Sequence, residues 1–365
     1  MGTTARGGAL QLTMSVEIEK GIQALSRVAI IDGRGKFASG EVVYYHLMDG
    51  VSEGAERAAL TGLDLQVDFN RKEDRLLVIL RERLSKRRHR PSRLHLSLFL
   101  ATIITTLMSG AILEGYNVFL QPWTIIYGWP FSLTLMAILG FHEYGHYYYA
   151  RRHNVDVTLP YFIPVPPPLT FIGTFGAFIK MRGPIPNRLA LLEIGAAGPI
   201  AGFLVAVPAL LLGLQLSTVV EIGGEGIILG DNLLLKLSSA LIFPGLGPEQ
   251  DIMLHPVAFA GWIGMLVTML NLLPLAQLDG GHIAYALLGD RQHWLGRIVM
   301  ALLIPMGLFL SLNWLLWAAL ILVLMRTVRH PPIHDIQRPL SPYELRIGLI
   351  CLAIFILCFI PIPFA

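Results

Sequence analysis

The chain has 365 residues, 54% of them hydrophobic and 15% charged, and a mean hydropathy of +0.60. That is too apolar for a soluble domain of this size and reads as a multi-spanning membrane protein. The formal charge of +3 does not argue for nucleic acid, because the basic residues gather at the ends of apolar runs, as the positive-inside rule expects.

The amino terminus lacks the charged start, apolar middle and small-residue cleavage site of a signal peptide, so no removal is expected. Arg6 stands where a myristoylation motif wants Ser or Thr. Residues 1–90 form the only long polar section and are expected to fold as a small cytosolic α+β domain. Val42–Leu47 reads as a strand and Glu53–Leu63 as a short amphipathic helix. Leu65–Asp68 and Leu76–Leu80 read as two further strands, meeting at the polar turn Asn70–Asp74. The basic run Arg81–Arg93 reads as an anchor at the cytoplasmic headgroup surface.

Apolar runs then follow at 95–113, 128–150, 189–216, 256–275, 295–327 and 345–364. The fifth is too long for one crossing, and Asn313 near its centre could turn it into a tight helical hairpin. The expected fold is a polytopic α-helical membrane protein of about six to seven spans, with a short re-entrant β segment and the amino-terminal α+β domain. On this reading residues 91–330 are the membrane-embedded core and 331–365 hold a carboxyl-terminal transmembrane helix. If the fifth run crosses twice, the Arg81–Arg93 run, Arg151, Arg152, Lys180, Arg182, Arg188, Arg291, Arg297 and the Arg326–Arg346 cluster share one side. The opposite loops, 114–123 and 217–255, carry Lys236 as their one basic residue, which places the amino terminus in the cytoplasm and the carboxyl terminus outside.

Two segments interrupt the helical pattern. Pro160–Pro168 cannot form an interior helix, because proline rings remove donors and clash with the preceding turn. Gly173-Thr174-Phe175-Gly176-Ala177-Phe178-Ile179-Lys180 alternates small and bulky residues like a short strand or hairpin. Such backbone at membrane depth needs protein or a water-filled cavity around it, so it is expected to dip toward a site. The only cysteines, Cys351 and Cys358, lie in the last apolar run and read as small packed residues, not a disulfide or metal pair.

The chemistry centres on His142-Glu143-Tyr144-Gly145-His146, within the second apolar run. Imidazoles at i and i+4 project from one side of a helix and can grip one Zn²⁺, and the adjacent carboxylate can take a proton from an attacking water. Ionisable groups inside an apolar helix are costly, which makes a functional reading the default. Catalytic zinc commonly takes three protein ligands, and Asp279 in Asn271-Leu272-Leu273-Pro274-Leu275-Ala276-Gln277-Leu278-Asp279-Gly280-Gly281-His282 is the strongest third donor. Taken alone, Asp279 could equally be a turn residue before the glycine pair. His282 is a rival ligand, or orients Asp279, or simply begins a helix. Asn271 could donate its amide to a substrate carbonyl or bind loop backbone. Glu193 and His255 read as structural or interfacial.

With these residues in place the chain resembles the site-2 protease family of zinc intramembrane metalloproteases. The resemblance rests on His142-Glu143-x-x-His146, Asn271-x-x-Pro274-x-x-x-Leu278-Asp279-Gly280, Gly173-x-x-Gly176-Ala177 and Gly198-Pro199-x-x-Gly202, and covers about residues 95–330. It implies one Zn²⁺ per chain held by His142, His146 and Asp279, with Glu143 as general acid/base and Asn271 assisting substrate or transition state. It also implies that the strand Gly173 to Lys180, including Thr174, Phe175, Ala177 and Phe178, pairs with substrate. The implied partners are a transmembrane protein substrate and the lipid bilayer. The implied location is a bacterial cell membrane, with the site toward the cytoplasm. The peptide-binding domain that many bacterial relatives carry between the motifs has no counterpart here, since the loop 217–255 is too short and too apolar. A zinc or proton transporter using the same ligands without cleavage is the rival reading. It would tend to show a polar pathway to both faces or repeated halves, and the sequence shows neither.

Overall fold

The computed structural model describes residues 17–37, 40–52, 54–63, 65–72, 75–82, 93–182, 185–221, 228–325, 327–328, 330 and 339–364. The chain divides into two compact units, Met1–Arg87 and Arg88–Ala365.

In the first unit, helix α1 (residues 17–25) precedes strands β1 (Ala29–Phe37) and β2 (Gly40–Leu47), helix α2 (Ala55–Leu60), and strands β3 (Leu65–Lys72) and β4 (Arg75–Glu82). The strands form one antiparallel sheet in the order β1-β2-β4-β3. Period-two alternation puts Val43 and Tyr45 of β2 and Val78 and Leu80 of β4 on one face. Ile18, Ile22 and Leu25, spaced as one stripe of α1, bury against that face with Leu60 of α2. The phenol of Tyr45 is so enclosed that burial pushes its pKa up to about 12. Strands β2, β3 and β4 fall where the sequence places strands, but β3 and β4 run to Lys72 and from Arg75, narrowing the expected turn Asn70–Asp74. Positions 73 and 74 of that turn, and 83–92 of the basic run, lie outside the described residues.

The second unit is mostly helical. It contains α3 (Arg93–Leu113), α4 (Trp129–Arg152), β5 (Tyr161–Pro164), β6 (Thr174–Phe178), α5 (Arg188–Gln215), β7 (Thr218–Glu221), α6 (Leu233–Ile242), β8 (Gln250–Met253), α7 (Pro256–Asn271), α8 (Asp279–Leu288), α9 (Gln292–Phe309), α10 (Asn313–Met325) and α11 (Pro342–Cys358). Among the described residues four helical stretches, Arg93–Leu113, Pro122–Arg152, Arg188–Gln215 and Asp279–Phe309, are long and apolar enough to cross a membrane. The first three coincide with the first three apolar runs. The fourth begins between the fourth and fifth apolar runs, where Asp279, His282, Asp290, Arg291, Gln292 and His293 dilute the apolar pattern. The run 256–275 gives the shorter helix α7, and 295–327 breaks at residues 310–312 into α9 and α10, with Asn313 opening the second arm.

Helices α4, α5 and α7 pack together as the centre of the core, through Leu135, Ile138 and Leu139, Leu191, Leu210 and Leu214, and Trp262, Met265 and Met269. Apolar attraction between helices is weak where lipid is the solvent, so close approach through small residues matters more. Gly213 lies against the backbone of Ala258, and Gly261 against that of Leu210. Inside the α3–α4 contact the buried hydroxyls of Thr106 and Ser132 share a hydrogen bond of 2.7 Å.

Strands β5 and β6 form an antiparallel hairpin laid along α3. The ring of Tyr161 rests on His95 at 4.2 Å and that of Phe162 on Phe99 at 5.1 Å, whereas Gly173 abuts the backbone of Thr105 and Thr106. From position 95 to position 105 the hairpin therefore tracks about 15 Å of helix axis. The hairpin falls where the sequence places a β segment, and Pro164 and its neighbours prevent it from becoming helix.

Candidate metal centre

Helix α4 starts at Trp129-Pro130, where the missing proline donor costs nothing. It ends at His153, with Arg151 and Arg152 in the last turn beside the carbonyl end of the dipole and Asn154 in the left-handed conformation at φ 57°. His142, Glu143 and His146 are all buried on this helix. The two imidazoles stand edge to face, and their Nε2 atoms are 3.1 Å apart.

Asp279 reaches them from the first turn of α8. Its Oδ2 lies 3.3 Å from His142 Nε2 and 3.3 Å from His146 Nε2. The three donor atoms thus form a near-equilateral triangle. Tetrahedral zinc with bonds of about 2.0–2.1 Å needs ligand atoms about 3.3 Å apart, so the triangle matches one face of that tetrahedron and leaves the fourth vertex open. Among the described residues, His142, His146 and Asp279 form the one group of three metal-ligating side chains that converge in this way.

The tautomer of His146 also suits a ligand. Its Nδ1 lies 2.7 Å from the carbonyl oxygen of Ile194 on α5, an acceptor, so Nδ1 carries the proton and Nε2 presents a lone pair. Helix α5 can come this close because Gly198 has no side chain: a Cβ there would stand 2.0 Å from His146 Nε2. Gly202, one turn on, lies beside the ring of His142. The Gly198-Pro199-x-x-Gly202 segment is therefore a seat for the two imidazoles.

Glu143 is 5% exposed, and its Oε2 is a buried oxygen with no hydrogen-bond partner among the described residues. Such an orphan is expected where a reactant completes the bonding. The backbone of Ile179, just past β6, faces the same carboxylate. Asn271 closes α7 with its Nδ2 3.3 Å from His142 Nε2, which places its amide at the rim of the triangle. His282 does not join the group. Its Nδ1 is taken by the carbonyl of Leu278 at 2.9 Å, and its ring lies edge-on to His330.

The strand residues divide by role. Thr174 is buried and fastens the hairpin, donating to Ile163 O at 2.8 Å and accepting from Gly176 N–H at 3.0 Å. Gly173 and Gly176 take φ of 84° and 93°, which glycine adopts without strain. Phe175 and Phe178 are 72% and 49% exposed, and Ala177 is half-buried. β6 pairs with β5 on one side, and among the described residues no strand occupies its other edge.

One cluster beside the centre is not evident from the sequence. Glu193 is buried, with its Oε2 2.6 Å from His153 Nε2 and its Oε1 accepting from Tyr343 O–H at 2.9 Å. It ties the end of α4 and the start of α11 to α5, one residue before the carbonyl that holds His146. The available signal was spacing: His153 follows His146 by two helical turns and so shares its face. Because its loss removes two hydrogen bonds whose partners, His153 and Tyr343, can still reach water, Glu193→Ala is expected to destabilise the protein by about 1–3 kcal/mol. Denaturation of the solubilised chain measures it.

An apolar helical core that encloses a His-Glu-x-x-His helix, a carboxylate within 3.3 Å of both imidazoles and a glutamate oxygen without a partner among the described residues has the arrangement of a zinc-metallopeptidase centre among apolar helices. The model of peptidase family M50 matches residues 130–313, half of the chain, and the chain belongs to this family, that of the site-2 proteases.

Three relatives illustrate the kinship. The probable zinc metalloprotease EGY2, chloroplastic, of Oryza sativa subsp. indica is 30% identical over 246 residues, 66% of this chain and 43% of the relative. The probable zinc metalloprotease EGY1, chloroplastic, of Arabidopsis thaliana is 31% identical over 242 residues, 64% of this chain and 43% of the relative. The probable zinc metalloprotease EGY3, chloroplastic, of Oryza sativa subsp. japonica is 27% identical over 291 residues, 72% and 47% of the two chains. The chain thus spans less than half the length of these relatives. No solved structure matches. Because the relatives are named as chloroplastic, they lend no support to the bacterial membrane or the cytoplasmic orientation expected above. Family and apolar helices together indicate a multi-pass membrane protein.

Proposed function

We propose that this protein is an intramembrane zinc metalloprotease that hydrolyses peptide bonds in or near the transmembrane segments of membrane-protein substrates. The observation that carries the reading is the donor triangle of His142, His146 and Asp279 beside the orphaned oxygen of Glu143. Zinc held by those three residues would supply a Lewis acid that polarises the scissile carbonyl and raises the acidity of a water. Glu143 takes the proton of the attacking water and returns it to the leaving amine. The amide of Asn271 donates to the substrate oxygen on which negative charge develops.

A helical substrate hides its carbonyls in its own hydrogen bonds, so it must be drawn into an extended form. The open edge of β6 captures that form by strand addition, next to Glu143. Loss of the exposed Phe175 ring in Phe175→Ala is expected to raise KM roughly tenfold at unchanged kcat, the worth of one buried aromatic contact. Cleavage kinetics in proteoliposomes check this. The centre sits near the end of α4 that carries Arg151 and Arg152, the cytoplasmic end by the positive-inside rule.

A carrier would need further ligand groups along a path to the opposite face, and the described residues offer this one. The deciding experiment reconstitutes the purified chain in lipid vesicles with single-span substrate peptides. Zinc-dependent appearance of cleaved peptide supports the proposal. Zinc movement without cleavage under the same conditions would replace it with the carrier.

A further inference from the structure

Asp279 is the one ligand not carried by α4, so the geometry of the centre depends on what fixes the loop and helix that bring it. The loop between α7 and α8 is irregular: Ala276 sits at φ 48°, in the left-handed region unfavourable to a residue with a side chain. Within the loop Leu278 N–H bonds Leu275 O at 3.0 Å, but two other backbone groups find partners far along the chain. Ala276 N–H donates to Val328 O at 3.0 Å, and Pro274 O accepts from Gln292 Nε2 at 3.1 Å.

Gln292 is fully buried. Its Nε2 donates a second hydrogen bond to Val328 O at 3.1 Å, and its Oε1 accepts from His330 N–H at 3.1 Å. A single amide therefore joins the first residue of α9 to the Asp279 loop and to the segment after α10. Gly296, one turn along α9, leaves room for the carbonyls of Val328 and Pro274 to approach. The imidazole of His330 is 3% exposed, stacks on Tyr285 at 4.6 Å and meets His282 edge-on at 4.8 Å. Both rings lie on α8, three and six residues after Asp279, on one stripe of that helix. The loop before Asp279 and the helix after it are thus gripped by the same short segment. Val328 and His330 lie beyond the stretch that matches the family model.

We infer that Gln292 and His330 form a positioning strap that holds Asp279 in register with His142 and His146 for metal binding. The inference rests on the proposed zinc centre. Neither residue touches the metal or the substrate, and both act through Asp279.

The test uses the full-length chain in detergent, with zinc affinity measured by chelator competition and with the absorption spectrum of the cobalt-substituted protein. Gln292→Leu keeps most of the volume and removes the amide. It is expected to weaken zinc binding by about 10–100-fold, the scale for groups that orient metal ligands, and to alter the visible bands of bound cobalt. His330→Ala removes the ring but keeps the backbone N–H that Gln292 needs, and is expected to weaken zinc about tenfold. A residue that served stability alone would lower the melting temperature and leave the cobalt bands of the saturated protein unchanged. Should Gln292→Leu fail to fold, His330→Ala decides. Wild-type zinc affinity and an unchanged cobalt spectrum in the folded His330→Ala chain would overturn the strap alone. Absence of zinc binding by the wild type would instead overturn the reading of the centre, and the strap with it.

Discussion

Glu143→Gln is expected to abolish cleavage while the protein keeps its zinc. Glutamine has nearly the shape of glutamate, so the packing around a 5%-exposed side chain on α4 survives. What disappears is the group that accepts and returns a proton. Removing a positioned general acid/base costs about 10²–10⁴ in rate, enough to drop a slow intramembrane cleavage below detection. His142, His146 and Asp279 are unaltered by the change, so zinc content, measured by elemental analysis, stays near one per chain. Asp279→Ala makes the contrast, since it removes a corner of the triangle and should lose zinc and cleavage together. A Glu143→Gln protein that still cleaves within tenfold of wild type would remove Glu143 from the chemistry.

The second large effect is expected from a single methyl group. In Gly198→Ala the new Cβ would stand 2.0 Å from the Nε2 of His146, closer than any pair of heavy atoms tolerates without a bond. The obstacle is the ligand atom itself, and His146 is also held at its far side by the carbonyl of Ile194, so the ring has no room to retreat. Either the imidazole turns out of the triangle or α4 and α5 separate. Zinc affinity should fall by at least about 100-fold, beyond the usual range for outer-shell changes, because a ligand is displaced. Gly202→Ala is the graded comparison. Its Cβ would lie 3.2 Å from His142 Nδ1, a contact that a shift of a few tenths of an ångström relieves, and a several-fold loss is expected. Equal zinc affinity in wild type and Gly198→Ala would show that α5 does not seat the ligands.

The two histidines were legible because a helix makes i and i+4 neighbours regardless of what surrounds it. Asp279 was legible by chemistry, as a carboxylate where an apolar segment should have none. Its distance to the imidazoles was not, since 133 positions separate it from His146 and only packing sets that gap. Strands β2, β3 and β4 announced themselves through alternation, whereas β1 did not, because Asp32, Gly33, Arg34 and Gly35 break its pattern and a register shift after Ile31 absorbs the irregularity. Helix α6 is hidden in the sequence because it is short and sits between glycine- and proline-rich segments. Gln292 gave no signal at all. A glutamine at the start of a helix looks like a solvated residue until the carbonyls of Pro274 and Val328 close around it.

The α9–α10 pair has a mechanical side. Its second arm has 13 residues, about 20 Å of rise against roughly 30 Å of hydrocarbon, and the tip is capped by Phe309 and Leu312, which are 83% and 65% exposed. Such a tip prefers acyl chains to water, and an arm shorter than the hydrocarbon is accommodated by thinning of the surrounding leaflets, at a cost of fractions of a kcal/mol per ångström of mismatch. The feet of the same wedge, at Gln292 and Val328, clasp the loop that carries Asp279. On the proposed function, the lengths of the neighbouring fatty acids would then act as a load on the His142, His146 and Asp279 triangle, and cleavage would vary with the thickness of the surrounding lipid.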